Sequence, residues 1–511
     1  MTTKIALFWP GDARPAPNAL ALPSITEATV QMERALRKLG RASYRIEGYL
    51  TRPHDAIARL GPIDDPMIGI CVHWIYAPHT TDGVVGKDQP LLLASNFSGQ
   101  WPGLVGLLNT GASLESLGRP FSRVWTDASD WSADDTFMDR LSEWCRTGRI
   151  AYSHRELAFD ATVSLASARL ARLVADEIRR RRILILMLGD TSMGMINGYF
   201  GPRLLNRHGF TEHKIDQAWL VDSGRRIDAA RIDRALAFVK AHGVTFHWKE
   251  NGASDFDESS TYEQLRDYLA VLDMVEEHEA DCLGWQYQLG LIPWRPPSDF
   301  AEGLFNSTCR PESDGDTIAC ATEADQGSAV PMELMKRLLI AKGLHQTVIA
   351  HDVRWGAWHE DRFIWVLLNS GSCGAYAFNH DPDRLDGVHS YRQPAEYFPT
   401  PGGTFTGESL PGRITWARAY IKEDALWMDI GRGEVVTLPP ATRDAWWEGT
   451  TRRWPFMSAD LGVSPETLMA HYLSNHIVVA YGDVFEEMVA LSKALGFRVR
   501  IMQAREDDRA G

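Results

Sequence analysis

Two carboxylates and one imidazole stand at the boundaries of strand-like segments in the later part of this 511-residue sequence. Glu323 lies in Ala321-Thr322-Glu323-Ala324-Asp325-Gln326-Gly327, between an apolar stretch and a helix expected to begin at Pro331. Asp352 lies in His351-Asp352-Val353-Arg354-Trp355, at the C-terminal end of a strand expected over Gln346 to Ala350, and ligands gather at such strand ends in α/β folds. His476, in Ser474-Asn475-His476, immediately precedes a further strand. Together they make a hard, mixed oxygen and nitrogen donor set, suited to Mn²⁺ or Mg²⁺ more than to a metal that seeks thiolates. Each residue also fits a plain structural role, Asp352 as a turn or cap and His476 as a hydrogen-bonded core histidine. Spacing alone does not pick His476 out of the 16 histidines.

The elements that must position these groups alternate between strand and helix patterns over the first part of the chain. A strand is expected over Lys4 to Phe8, a helix over Ile25 to Leu39 begun by a Ser24/Glu27 capping box, and a strand over Met67 to Val72. A long helix from Ser164 ends in the basic run Arg179 to Arg182, which reads as a solvated helix end favoured by the helix dipole. Ile183 to Leu188 then starts a second strand-and-helix series, with helical patterns at Asp228 to Ala241, Tyr262 to Glu277 and Pro331 to Ala341. From Gln346 the texture changes to short strand-like segments separated by Gly, Pro, Asp and Asn. The expected class is α/β: two Rossmann-like three-layer domains, 1–175 and 176–345, followed by a domain, 346–511, with an antiparallel β-barrel.

Composition narrows the functional classes. An apolar content of 44% with 23% charged residues is that of a packed globule, and the length calls for several cores. A formal net charge of -14 disfavours nucleic acid and anionic membrane surfaces, which need a cationic face. The longest apolar run, Ile183 to Leu188, is far short of a bilayer span, and the N-terminus reads as a first strand and not as a signal peptide. Six scattered cysteines without a CxxC pair indicate neither a disulfide framework nor a zinc ribbon, so a cytoplasmic location is expected.

At the three candidate residues the chain resembles the L-fucose isomerase family, also known for D-arabinose isomerase activity. That family carries its first catalytic carboxylate in an Ala-Thr-Glu-x-Asp segment followed by Gly, reproduced by Ala321 to Gly327. Its second lies in an Ala-Asp-Val-Arg segment, matched at Asp352, and its metal-binding histidine follows an asparagine, as His476 follows Asn475. Gly189-Asp190-Thr191-Ser192-Met193-Gly194-Met195 resembles the family's Ser-Met-Gly motif, and Asn369-Ser370-Gly371-Ser372 matches another of its turns.

The resemblance implies a metal-dependent aldose-ketose isomerase acting on an aldohexose or aldopentose through an enediol intermediate. Glu323 and Asp352 would be paired acid/base groups and, with His476, ligands of Mn²⁺, or of Mg²⁺ or Co²⁺. Gln286, Tyr397, Trp74, Asn475 and Arg14 would contact the sugar. A homo-oligomer, a hexamer, is also implied, with active sites at subunit interfaces and with Arg14 and Trp74 completing a neighbour's site. The chain departs from the family after the glutamine, where Leu289-Gly290-Leu291 replaces a polar stretch, and in the short loop between Ser370 and Tyr397. Those departures keep a sugar with an acidic group at C6, such as a sulfosugar, as a second substrate class. A non-catalytic sugar-binding protein is the rival outside enzymes. Hydride transfer through a nicotinamide lacks a glycine-rich dinucleotide fingerprint.

Overall fold

Strands built of continuous apolar residues need cover on both faces. The computed structural model, which describes residues 4–96, 103–190, 193–250, 255–288, 290–313 and 315–503, provides it in two parallel sheets. The first runs Ser43–Leu50, Ile5–Pro10, Met67–Cys71, Leu91–Asn96, Ser122–Thr126, with every neighbouring pair parallel. Along its strands Ala6, Phe8 and Leu93 belong to one core, while Leu7, Ile68 and Leu92 belong to another on the opposite face.

The second sheet runs Ala319–Thr322, Cys282–Trp285, Ile183–Leu188, Phe210–Ile215 and is also parallel. The third has eight strands, in the order Gly412–Lys422, His476–Tyr481, Val348–His359, Arg362–Leu367, Met457–Asp460, Ala425–Val435, Arg498–Met502, Leu157–Ala158. Gly412–Lys422 also pairs antiparallel with Ala425–Val435. The fold is thus mixed α/β, with parallel sheets and helices preceding a largely antiparallel sheet. Among the described residues no helix is long and apolar enough to cross a membrane.

Three expectations shift. The first helix is Pro15–Lys38, not a helix starting at Ile25: Pro15 and Pro17 stand in its first turn, where a missing N–H is harmless, and Ser24 lies inside it. The helix after Glu323 begins at Gln326, because the Asp325 side chain accepts from the Gly327 N–H and caps it; Pro331 is internal. The strand expected to stop at Ala350 continues as Val348–His359, so Asp352 sits within a strand and not at its end.

Candidate active site

The strand Ala319–Thr322 delivers Glu323 on a tight turn in which Glu323 and Ala324 both adopt left-handed backbone, φ 59° and 53°. Non-glycine residues there carry roughly 1–2 kcal/mol of strain each, a cost typical of functional sites. The turn is held by the Ala324 N–H donating to Trp285 O (3.1 Å) and the Asp325 N–H to Thr322 O (3.2 Å). Asp352 and His476 come from neighbouring antiparallel strands, as direct register partners.

These elements bring the three expected residues together. His476 Nε2 lies 3.7 Å from a Glu323 carboxylate oxygen and 3.5 Å from one of Asp352. His476 Nδ1 is 2.7 Å from Asp325 Oδ2, a contact that places the proton on Nδ1 and turns the Nε2 lone pair toward the two acids. Asp325 is itself ion-paired with the buried Arg418, whose Nη2 donates to Oδ1 at 3.0 Å. Asn369 Nδ2 donates to Asp352 Oδ2 (3.2 Å) and lies 3.3 Å from His476 Nε2, while Asn475 Nδ2 donates to Asp352 Oδ1 (3.3 Å).

Burial governs the charges. It pushes the Glu323 carboxyl up to about 8, with Asp352 adding to the rise and His476 and Arg14 opposing it. Asp352 is raised for the same reason, against the pull of His476 and Arg354. Asp325 is equally buried, yet Arg418 and His476 overcome the desolvation and hold its carboxyl below the usual carboxylate range. Burial lowers His476, but the Asp325 hydrogen bond and the surrounding acids outweigh it and leave the imidazole raised.

The donor set fits a hard divalent cation in type and orientation: two acids short of counter-charge, and an imidazole whose far nitrogen is already fixed. Octahedral bonds of about 2.1 Å keep adjacent donors about 3 Å apart and opposite ones about 4 Å, and the two Nε2 separations of 3.5 and 3.7 Å fall between. As they stand the side chains are looser than a closed coordination shell, and no group of three or more His, Cys, Asp or Glu among the described residues already encloses a metal position.

Glu323 and Asp352 line a cavity of about 50 Å³, together with Arg14, Trp74, Tyr397 and Gln288 among others. That is room for a few waters and not for a hexose, so its walls must yield to a sugar. Arg14 is ion-paired with Asp12 (2.7 Å) and lies 5.1 Å over the Tyr397 ring. The Trp74 indole N–H is buried without a partner among the described residues. Both reach the cavity of their own chain, where the resemblance had them completing a neighbour's.

Gln286 was expected at the sugar, but it is Gln288 that lines the cavity, 3.5 Å from Glu323 Oε1; Gln286 directs its backbone into the sheet, donating to Leu188 O. Asn475 touches Asp352 and Met195. From the Ser-Met-Gly motif, Met193 lines the cavity, while Thr191 and Ser192, like Leu289 of the divergent stretch, lie outside the described residues.

Asp325, Asn369, Arg354 and Gln288 were not singled out from the sequence. Asp325, Asn369 and Arg354 stood inside the quoted motifs, and a second acid two residues after Glu323 was the available signal for Asp325.

The comparisons with known proteins place the chain among the aldose-ketose isomerases, which are intramolecular oxidoreductases. Residues 367–503 match the family described as L-fucose isomerase, C-terminal domain. L-fucose isomerase of Vibrio vulnificus (strain YJ016) is 23% identical over 506 residues, covering 85% of this chain and 80% of its own length. L-fucose isomerase of Haemophilus influenzae (strain PittEE) is 22% identical over 492 residues, covering 83% and 77%. These matches support assignment of the chain to the L-fucose isomerase family.

Proposed function

We propose that this protein is a divalent-cation-dependent isomerase that interconverts an aldohexose or aldopentose of the L-fucose or D-arabinose type and its ketose. The observation that carries the reading is the approach of His476 Nε2 to both Glu323 and Asp352, at 3.7 and 3.5 Å, with Asp325 holding the other ring nitrogen.

Glu323, Asp352 and His476 would hold Mn²⁺, or Mg²⁺ or Co²⁺. When bound, such an ion polarises the substrate's carbonyl and hydroxyl oxygens and steadies the negative charge that grows on them. The chain's own acids move the proton. One carboxylate of the Glu323/Asp352 pair takes the proton from the carbon beside the carbonyl, leaving an enediolate; a proton passes from the hydroxyl oxygen on that carbon to the former carbonyl oxygen, and the carboxyl returns its proton to the former carbonyl carbon, giving the ketose. Trp74, Tyr397 and the other walls keep the shuttled proton from solvent.

The same reading takes 1–175 and 176–345 as three-layer Rossmann-like domains and 346–511 as a barrel-containing domain. The added pairing of Gly412–Lys422 with Ala425–Val435 supports the barrel. A cytoplasmic homo-oligomer, a hexamer, completes it.

The test is ketose formation from a panel of aldoses, before and after chelation and with Mn²⁺ restored. Activity that ignores the chelator overturns the metal, and full turnover by Glu323→Gln overturns the proposed acid/base pair.

A further inference from the structure

His476 is reached through a short, buried bridge. The helix Pro465–His471 ends immediately before Tyr472, and Leu473, Ser474 and Asn475 lead directly to His476, the first residue of its strand. The bridge folds back on itself: the His476 N–H donates to Ser474 Oγ (3.0 Å), and the Tyr472 hydroxyl donates to His476 O (2.6 Å). Where Tyr472 sits, His476 therefore follows.

The end of that helix is held by an arginine from the first parallel sheet. Arg123, on the edge strand Ser122–Thr126, donates from Nη1 to Met469 O (3.3 Å) and to Tyr472 O (2.7 Å). The last carbonyls of a helix lack partners within it and form the negative end of its dipole, so a guanidinium is favoured there on both counts. The Arg123 backbone is fixed in turn. Its N–H donates to the Tyr152 hydroxyl (2.7 Å), which donates to its C=O (2.6 Å), and the Tyr152 ring meets that of His471, the last residue of the helix, edge to face.

The guanidinium is closely confined. It is buried against Gly111, where an added Cβ would stand 2.5 Å from Nη2, 2.7 Å from Nε and 2.9 Å from Cζ. Nε and Nη2 accordingly have no hydrogen-bond partner among the described residues. The helix that carries Gly111, Gly103–Ser116, also supplies Val105 to the wall of the cavity that holds Glu323 and Asp352. Burial lowers Arg123 to about 10, which leaves it a cation at neutral pH. It forms no ion pair among the described residues: Glu115 acts on it from beyond that range and is itself 3.0 Å from Lys422. Arg500 also reaches this helix end, at His471 O (2.9 Å), but is matched by Asp429. A cation buried without a carboxylate costs stability, so stability alone does not account for Arg123.

We infer that Arg123 is a positioning residue for His476: from the first parallel sheet it fixes the helix end that sets the imidazole against Glu323 and Asp352. The inference rests on the proposed metal site and goes beyond it by tying the donor set to a residue that does not line the cavity. Arg123 acts only through the helix end; it moves no proton.

The test uses the full chain with Arg123→Gln, Arg123→Lys and Gly111→Ala, the last displacing the guanidinium without removing its charge. Mn²⁺ affinity is read by calorimetry and metal-free stability by a urea melt. The imidazole itself is read, without metal, by the low-field proton resonance of His476 Nδ1 in its hydrogen bond to Asp325, assigned by its loss in His476→Gln. Arg123→Gln is expected to weaken Mn²⁺ binding about 10-fold, the lower end of the loss that follows removal of a ligand's supporting partner, and to shift or broaden the resonance. Arg123→Lys, which keeps the charge and a donor for the carbonyls, is expected to recover part of both.

A merely structural arginine would lower the melt alone. Wild-type Mn²⁺ affinity and an unmoved resonance in folded Arg123→Gln therefore overturn the inference. Should that variant not fold, Gly111→Ala decides by the same two readings. Failure of the metal reading is separate: a wild type that binds no Mn²⁺ removes the metal, while a resonance that still moves in the variants keeps the positioning of His476.

Discussion

Asp352 and His476 face each other as register partners across the antiparallel pair Val348–His359 and His476–Tyr481. The ladder sets the two residues side by side, and the hydrogen bonds of Asp325 to His476 and of Asn369 and Asn475 to Asp352 hold the side chains at the 3.5 Å separation before either meets a ligand.

Replacing Asp325 with Asn should weaken Mn²⁺ binding about 10- to 100-fold, because His476 loses the partner that fixes its tautomer. It should also lower stability by about 3–5 kcal/mol, since Arg418 would be left as an unpaired buried cation. Metal titration followed by calorimetry and a denaturant melt of the metal-free protein separate the effects. Undiminished affinity would remove Asp325 from the metal site.

Glu323→Gln and Asp352→Asn should each lower kcat by about 10²- to 10⁴-fold while leaving the fold intact. For the wild type, Mn²⁺ at about 100 times its Kd should raise stability by about 2.7 kcal/mol, and the double variant should show almost none of that gain. Thermal melts with and without the ion decide.

Gly327 lies in the first turn of the helix Gln326–Ala341, where alanine would ordinarily stabilise by about 0.5–1 kcal/mol. Here the sign should reverse. An added Cβ would come within 2.3 Å of Arg418 Nη2 and 2.8 Å of Ala419 O. Gly327→Ala should destabilise by about 1–3 kcal/mol and weaken Mn²⁺ binding through the Arg418–Asp325 pair. A variant as stable as wild type would show that Arg418 has room to move.

His73 predicts an acid-sensitive contribution to stability. It is buried, bonded through Nε2 to Asn18 Oδ1 (2.6 Å), and burial lowers it from 6.5 to about 4. Its folded pKa lies below its unfolded one, so its share is fully present above pH 6.5 and is lost as pH falls through that window. Between about pH 7.5 and pH 5 the loss should be about 2 kcal/mol. His73→Gln should flatten the stability profile by that amount, read from urea melts at the two pH values.

The sequence made the parallel strands and long helices legible, because runs such as Ile183–Leu188 and caps such as Ser164, whose side chain accepts from the Ser167 N–H, are local signals. It misplaced the first helix, where a plausible capping box at Ser24 competed with prolines that were tolerated nine residues earlier. The metal-type triad was visible only through resemblance, since spacing could not single out one histidine. The bulge at Arg354 was not legible, because it is a mismatch between two strands that neither strand's own pattern records. Gln288 lost to Gln286 because Gln286 was chosen only as the match to a family glutamine, while it is Gln288 that lines the cavity.

The strand His476–Tyr481 lies between Gly412–Lys422 and Val348–His359, both of which precede it in the chain. During synthesis those two strands emerge first, each with an open edge on the side it will later share. Such edges invite pairing with other chains. The imidazole therefore arrives on the wedge that closes the gap, so a nascent chain holds both acids before it can hold a metal as the finished protein does, and protection from aggregation and completion of the donor set come in one event.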